Sequence, residues 1–112
     1  MDLEKVSDDL VKMLQRFVWC RMYSVVDRLA NATSKEVIAQ TLYEALRISR
    51  SARDAGRSLC EDSRRVGPYV ASEESIKAVL ELLDKDLQAG LEFVRKMAIL
   101  ALTGYAKKEV GE

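Results

Sequence analysis

Histidine is absent from the 112-residue chain, and proline occurs once, glycine five times and cysteine twice. Without histidine the chain lacks both the side chain that most often acts as general base near neutral pH and the commonest zinc ligand. Ser-His-Asp, Cys-His and HExxH sites are therefore excluded. Cys20 and Cys60 have no CxxC spacing, which leaves any zinc set incomplete. Pairing them would need an oxidising compartment, and the charged start Met1-Asp2-Leu3-Glu4-Lys5 does not read as a secretory leader. The expectation is two reduced, partly buried thiols in a cytoplasmic protein. None of the glycines falls in a GxGxxG or Walker arrangement. The longest strictly apolar run, Met97 to Leu102, is six residues, against the ~20 that a membrane-spanning helix needs. Neither sign of charge dominates: 18 Lys and Arg balance 18 Asp and Glu, so no overall basic field draws nucleic acid. The absences argue against an enzyme, with no catalytic set, metal site or cofactor expected and no membrane partner.

What is present points to helix. A composition of 48% hydrophobic and 32% charged residues excludes disordered and low-complexity classes, and the length suits one domain over residues 1–112. From about Asp2 to Ala30, two apolar rows run side by side at three-four spacing. One passes through Leu3, Val6, Leu10, Met13, Phe17, Cys20 and Ser24, the other through Val11, Leu14, Val18, Met22, Val25 and Leu29. So wide a stripe belongs to a helix lying between neighbours, or between its own core and another chain. Thr33-Ser34-Lys35-Glu36 has the capping-box form, and the helix it starts runs through Ile38, Leu42, Ala45, Ser49 and Ala52 to a stop near Gly56. Arg57 to Ala71 reads as a loop with one short helix, closed by Gly67-Pro68. Ser72-Glu73-Glu74 caps a last helix of some thirty residues that passes through Gly90, a candidate hinge, to Tyr105. The fold class is all-α: an antiparallel helical bundle of three major helices with room for one short extra helix.

The most informative local feature is a series of arginines, Arg47, Arg50, Arg53 and Arg57, continued by Arg64 and Arg65. At 100° per residue the first four fall within about 120° of arc, away from Leu42, Ala45, Ser49 and Ala52. Six arginines stand against Asp54, Glu61 and Asp62 in this window, a local charge of +3 in a neutral chain. The planar guanidinium fork suits phosphate oxygens and base faces, so all six are candidate nucleic-acid-binding residues. The same stripe also has a plain structural reading, the solvated face of an amphipathic helix, with Asp54 inside the arc partly neutralising it. Among the aromatics, Phe17 belongs to the core row. Trp19 lies off both rows between Arg16 and Arg21, where either a base or a protein partner could meet it. Lys107 and Lys108 are explained by a helix C-terminus. No carboxylate pair has the spacing of an acid-base site.

The stretch Tyr23-Ser24-Val25-Val26-Asp27-Arg28-Leu29-Ala30-Asn31-Ala32-Thr33-Ser34-Lys35-Glu36, followed by Leu42, Glu44, Ala45 and Arg47, resembles the small all-helical subunit of archaeal type I-A CRISPR surveillance (Cascade) complexes. The resemblance implies a non-catalytic subunit of an RNA-guided antiviral complex. Its partners would be the other subunits of that ribonucleoprotein and the backbone of single-stranded DNA or RNA, bound weakly by the chain alone. It carries no catalytic set over, and Asp27, Arg28 and Asn31 are expected to be structural, joining the first two helices. The arginine stripe is a separate reading that fits such a role, because backbone contacts give affinity with little base preference. The competing class is a protein-interaction or self-associating helical module, for which the wide first helix would supply the interface.

Overall fold

A computed structural model describes residues 2–61 and 65–104. Among these, five α-helices alternate with short connections: α1 (Leu3–Trp19), α2 (Tyr23–Asn31), α3 (Lys35–Asp54), α4 (Glu73–Lys85) and α5 (Leu87–Ile99). A two-residue antiparallel ribbon, β1 (Cys60–Glu61) with β2 (Arg65–Val66), separates α3 from α4, and a π-helical turn, Leu100–Gly104, follows α5. The class is all-α as the composition implied, but the expectation of three major helices with one short extra is incorrect. Both long helices of the sequence reading are broken, and the 57–71 segment holds a ribbon where a short helix was expected.

Each break has a local cause. At the end of α1, Met22 N–H donates to the Phe17 carbonyl and Arg21 N–H to that of Val18, both at 2.9 Å, while Arg21 takes φ +60°. This is the paired-bond ending that glycine usually supplies, here with arginine in the left-handed position. The three-four apolar spacing continues across it, so nothing in the periodicity announces the turn. The second break lies at Asp86, four residues before the glycine considered as a hinge. Asp86 is extended at φ −152°, ψ 98°; its N–H donates to the Leu82 carbonyl, and its carboxylate accepts from Ala89 N–H at 3.2 Å. One residue thus ends α4 and begins α5. Gly90 is where the helices touch: a Cβ there would lie 2.9 Å from the Leu83 Cα.

The remaining ends follow the sequence more closely. Ser34 caps α3 by accepting from Val37 N–H at 3.3 Å, one position later than the capping-box spacing suggested. The helix ends on the same paired bonds as α1, from Gly56 N–H to the Arg53 carbonyl and from Arg57 N–H to that of Ala52, with Gly56 at φ +65°. Ser72 caps α4, accepting from Glu74 N–H at 3.1 Å, beside the two acids that favour a helix N-terminus.

Helix α1 occupies the middle, in contact with α2, α3, α4, α5 and the π turn. Most of both apolar rows is consumed there: Leu10, Met13, Leu14 and Phe17 are fully buried, and Val11, Val25 and Leu29 are buried beside them, while Leu3 and Ser24 are exposed and Val18 and Met22 half-buried. The wide stripe therefore lies largely between its own neighbours. Exposed ion pairs join other helices, Arg28 to Glu44 at 3.3 Å and Lys35 to Asp84 at 2.9 Å, so the structural reading of Arg28 is correct, with α3 as its partner. Asn31 donates to the Asp27 carbonyl within α2.

The connection from α3 to α4 runs as a strap along one side of α1, antiparallel to it. Asp9 holds one end, its carboxylate accepting from Tyr69 Oη and Ser75 Oγ at 2.7 Å and from Ser72 N–H at 2.8 Å. Two turns further along, Arg16 donates to the Gly67 carbonyl at 3.5 Å. At the other end, Cys20 and Cys60 form a disulfide with Cα atoms 5.8 Å apart. The expectation of two reduced thiols is thereby corrected, because the turn after α1 and the strand after α3 meet at the separation that such a bridge spans.

Candidate nucleic-acid interface

The second half of α3 projects its arginines outward. With Leu42, Ala45, Ser49 and Ala52 turned into the core, helical spacing sets Arg47, Arg50 and Arg53 on the other side, and all three are exposed. The left-handed Gly56 then turns the chain so that Arg57, also exposed, leads directly to β1. Antiparallel pairing sets Arg65 opposite Glu61 on the ribbon, and Arg65 is exposed. Arg64 lies outside the described residues, as do Tyr105, Lys107 and Lys108.

The stripe is neither uniform nor wholly uncompensated. Leu46, whose helical angle falls inside the arginine arc, is only 2% exposed, so the apolar face of α3 is wider than the four residues first assigned to it. Arg53 binds its neighbour Asp54 through Nε at 3.2 Å and Nη2 at 3.1 Å. Both groups are more than half exposed, so the pair is screened by water and gives up its geometry readily. Among the described residues, Arg47, Arg50 and Arg57 make no ion pair. What the arrangement offers chemically is a set of cationic forks at the end of one helix and on the ribbon beside it. Guanidinium forks can donate to phosphate oxygens, and contacts of that kind carry no base information.

The disulfide adds what sequence spacing did not show. By joining Cys20 to Cys60 it sets the α1–α2 turn, with exposed Arg21, next to the ribbon. Arg21 is thereby brought near the end of the strap that carries Arg65, through two cysteines forty residues apart in the chain. The one signal available was the cysteine pair itself. Trp19 is half-buried, with the Arg16 guanidinium carbon 4.8 Å from its ring centroid. Phe17 is fully buried, as its row required.

Elsewhere, an open groove of about 490 Å³ lies between α1 and the start of α4, lined by Lys5, Lys12, Asp9 and Tyr69 among others. Its central carboxylate, Asp9, is already occupied by three donors from the strap and α4. Among the described residues, no three His, Cys, Asp or Glu side chains are grouped to hold a metal, and no helix is long and apolar enough to cross a membrane.

No curated protein and no solved structure matches the chain significantly. A family model does, that of the CRISPR-associated proteins described as Cas_Csa5, over residues 13–104. The match takes in all but the first helical turns of α1, the whole arginine series and both cysteines, and the chain belongs to the Cas_Csa5 family of CRISPR-associated proteins.

Proposed function

We propose that this chain is the small subunit of an archaeal type I-A surveillance complex in cytoplasmic antiviral defence, and that it holds nucleic-acid backbone through the arginines at the end of α3 and on the ribbon. The family is one of Cascade small subunits and is non-catalytic, so the work of the chain is binding. The observation that carries the reading is the exposure of every described arginine of the series, with Arg47, Arg50 and Arg57 in no ion pair among the described residues. In a chain of zero net charge, an isolated copy supplies few phosphate contacts, so affinity is low until several copies line one strand. Partner subunits would meet the apolar side chains exposed where α5 runs into the π turn, Ile99, Leu100 and Leu102, since the apolar rows of the first helix are mostly buried.

The test is the salt dependence of binding to single-stranded oligothymidylate. Replacing Arg47, Arg50 and Arg57 together by alanine should flatten the plot of log affinity against log salt by about two units, at ~0.7 per single-strand phosphate contact. The control removes two exposed cations of α5, Arg95 and Lys96. An unchanged slope in the α3 variant, or an equal loss in the control, would reject the surface.

A further inference from the structure

We propose that the Cys20–Cys60 bond is a thiol–disulfide exchange site: a dithiol reductant opens it, and the β1–β2 ribbon comes loose while the helices stay packed. The effect on strand binding rests on the function proposed above; the release of the ribbon does not.

Three observations carry it. The ribbon is two residues per strand, far below what holds a hairpin together in water unaided. Among the described residues, the continuous buried core contains none between Leu46 and Ala71, and from the stretch leading into the ribbon only the half-buried Leu59 packs against it, so the helices close chiefly over one another. What the ribbon gives to burial is Val66, with Leu59 and Cys60 half-buried. The hydrogen bonds to α1 from Gly67, Tyr69, Ser72 and Ser75 lie after β2 and do not fix β1. The bond from Cys60 ties β1 covalently to the end of α1, and Leu59, which leads into β1, packs against the core.

The exchange is chemically complete with a dithiol. Cys60 is the more open residue of the pair, half-buried on a two-residue strand, whereas Cys20 is 7% exposed. A thiolate of the reductant attacks Cys60 Sγ, the S–S bond breaks and Cys20 leaves as thiolate. The second thiol of the reductant then attacks the mixed disulfide and releases Cys60. The protein gains two electrons and two protons, and the reductant becomes a disulfide. With β1 and β2 released, Arg65 loses its fixed place on the ribbon, whereas Arg57 stays held to the end of α3 by its bond to the Ala52 carbonyl. Backbone contacts should fall by one, flattening the salt slope by about 0.7 at ~0.7 per phosphate.

Hydrogen exchange on the full chain, oxidised and in dithiothreitol, tests this, with free thiols titrated to show that the bond has opened. Peptides covering β1 and β2 should exchange at least about tenfold faster on reduction, with those of α1, α4 and α5 unchanged, which is the pattern of a local opening. The double variant Cys20→Ser/Cys60→Ser should match the reduced protein and ignore the reductant. Protection of the ribbon that survives reduction would overturn the proposal. So would loosening that spreads equally to α1 and α4, or a double variant that fails to fold. If the oxidised chain binds no oligothymidylate at low salt, the proposed function fails, while the exchange result still decides the staple.

Discussion

Gly90→Ala separates two accounts of the last third of the chain by sign. If Gly90 were a hinge within a continuous helix, alanine would raise stability by about 1 kcal/mol through helix propensity alone. The structure puts it at a close approach, where a Cβ would lie 2.5 Å from Leu83 Cδ2, 2.8 Å from its Cγ and 2.9 Å from its Cα. Carbon atoms prefer about 3.5–4.0 Å. The two side-chain atoms can withdraw if Leu83 leaves its rotamer, at about 0.5–1.5 kcal/mol. The Cα cannot withdraw, so α4 and α5 must part by several tenths of an ångström around Asp86, loosening the buried Val79, Leu83, Leu91 and Val94. Overpacking of this kind costs about 1–3 kcal/mol. Taking about 3 kcal/mol of strain less about 1 of propensity gives a net loss near 2 kcal/mol. For a domain of this size that is about 8 °C in Tm. Urea and thermal unfolding followed by circular dichroism, in non-reducing buffer, measure it. A variant as stable as the parent or more so would refute the close-packing argument.

Two further substitutions test the strap and the core. Asp9→Ala removes the acceptor shared by Tyr69, Ser72 and Ser75; it should cost about 2 kcal/mol in urea unfolding and speed hydrogen exchange in the first turn of α4. Unaltered exchange there would mean that Ser72 caps the helix unaided. Gln15 is fully buried with neither side-chain amide atom hydrogen-bonded, so Gln15→Met, similar in volume and without the amide, should raise stability by about 1 kcal/mol. A fall in the midpoint would show that the amide is satisfied in solution.

The parts of the fold legible in the sequence are those whose signals are local. Ser34, Ser72 and Gly56 mark helix ends because a hydroxyl or a missing Cβ is the chemistry those ends use. The turn after α1 gives no such sign, since Arg21 stands where glycine is usual and the apolar rows run on through Met22, Val25 and Leu29. Asp86 is hidden for a related reason: an aspartate inside a charged, periodic stretch reads as surface until its backbone is seen to be extended. Gly90, the more visible residue, drew the break to itself. The outward arginines followed from helical spacing together with their charge, because burying Leu42, Ala45, Ser49 and Ala52 puts them on the other side and a guanidinium is costly to bury unpaired. Leu46 did not follow, since the width of an apolar face depends on how many neighbours press on it. The strap along α1, joining residues of distant sequence at Asp9, Arg16 and Cys20, is a tertiary event that no spacing rule reports.

The central claim concerns which guanidinium groups meet the phosphates. Side-chain ¹H–¹⁵N spectra of the arginine Nε–H groups, followed while single-stranded oligothymidylate is added at low salt to the oxidised protein, observe them one by one. Shifts concentrated at Arg47, Arg50, Arg57 and Arg65, fading together as salt is raised, are the predicted result. Equal shifts at Arg95, or none within the series, would contradict it.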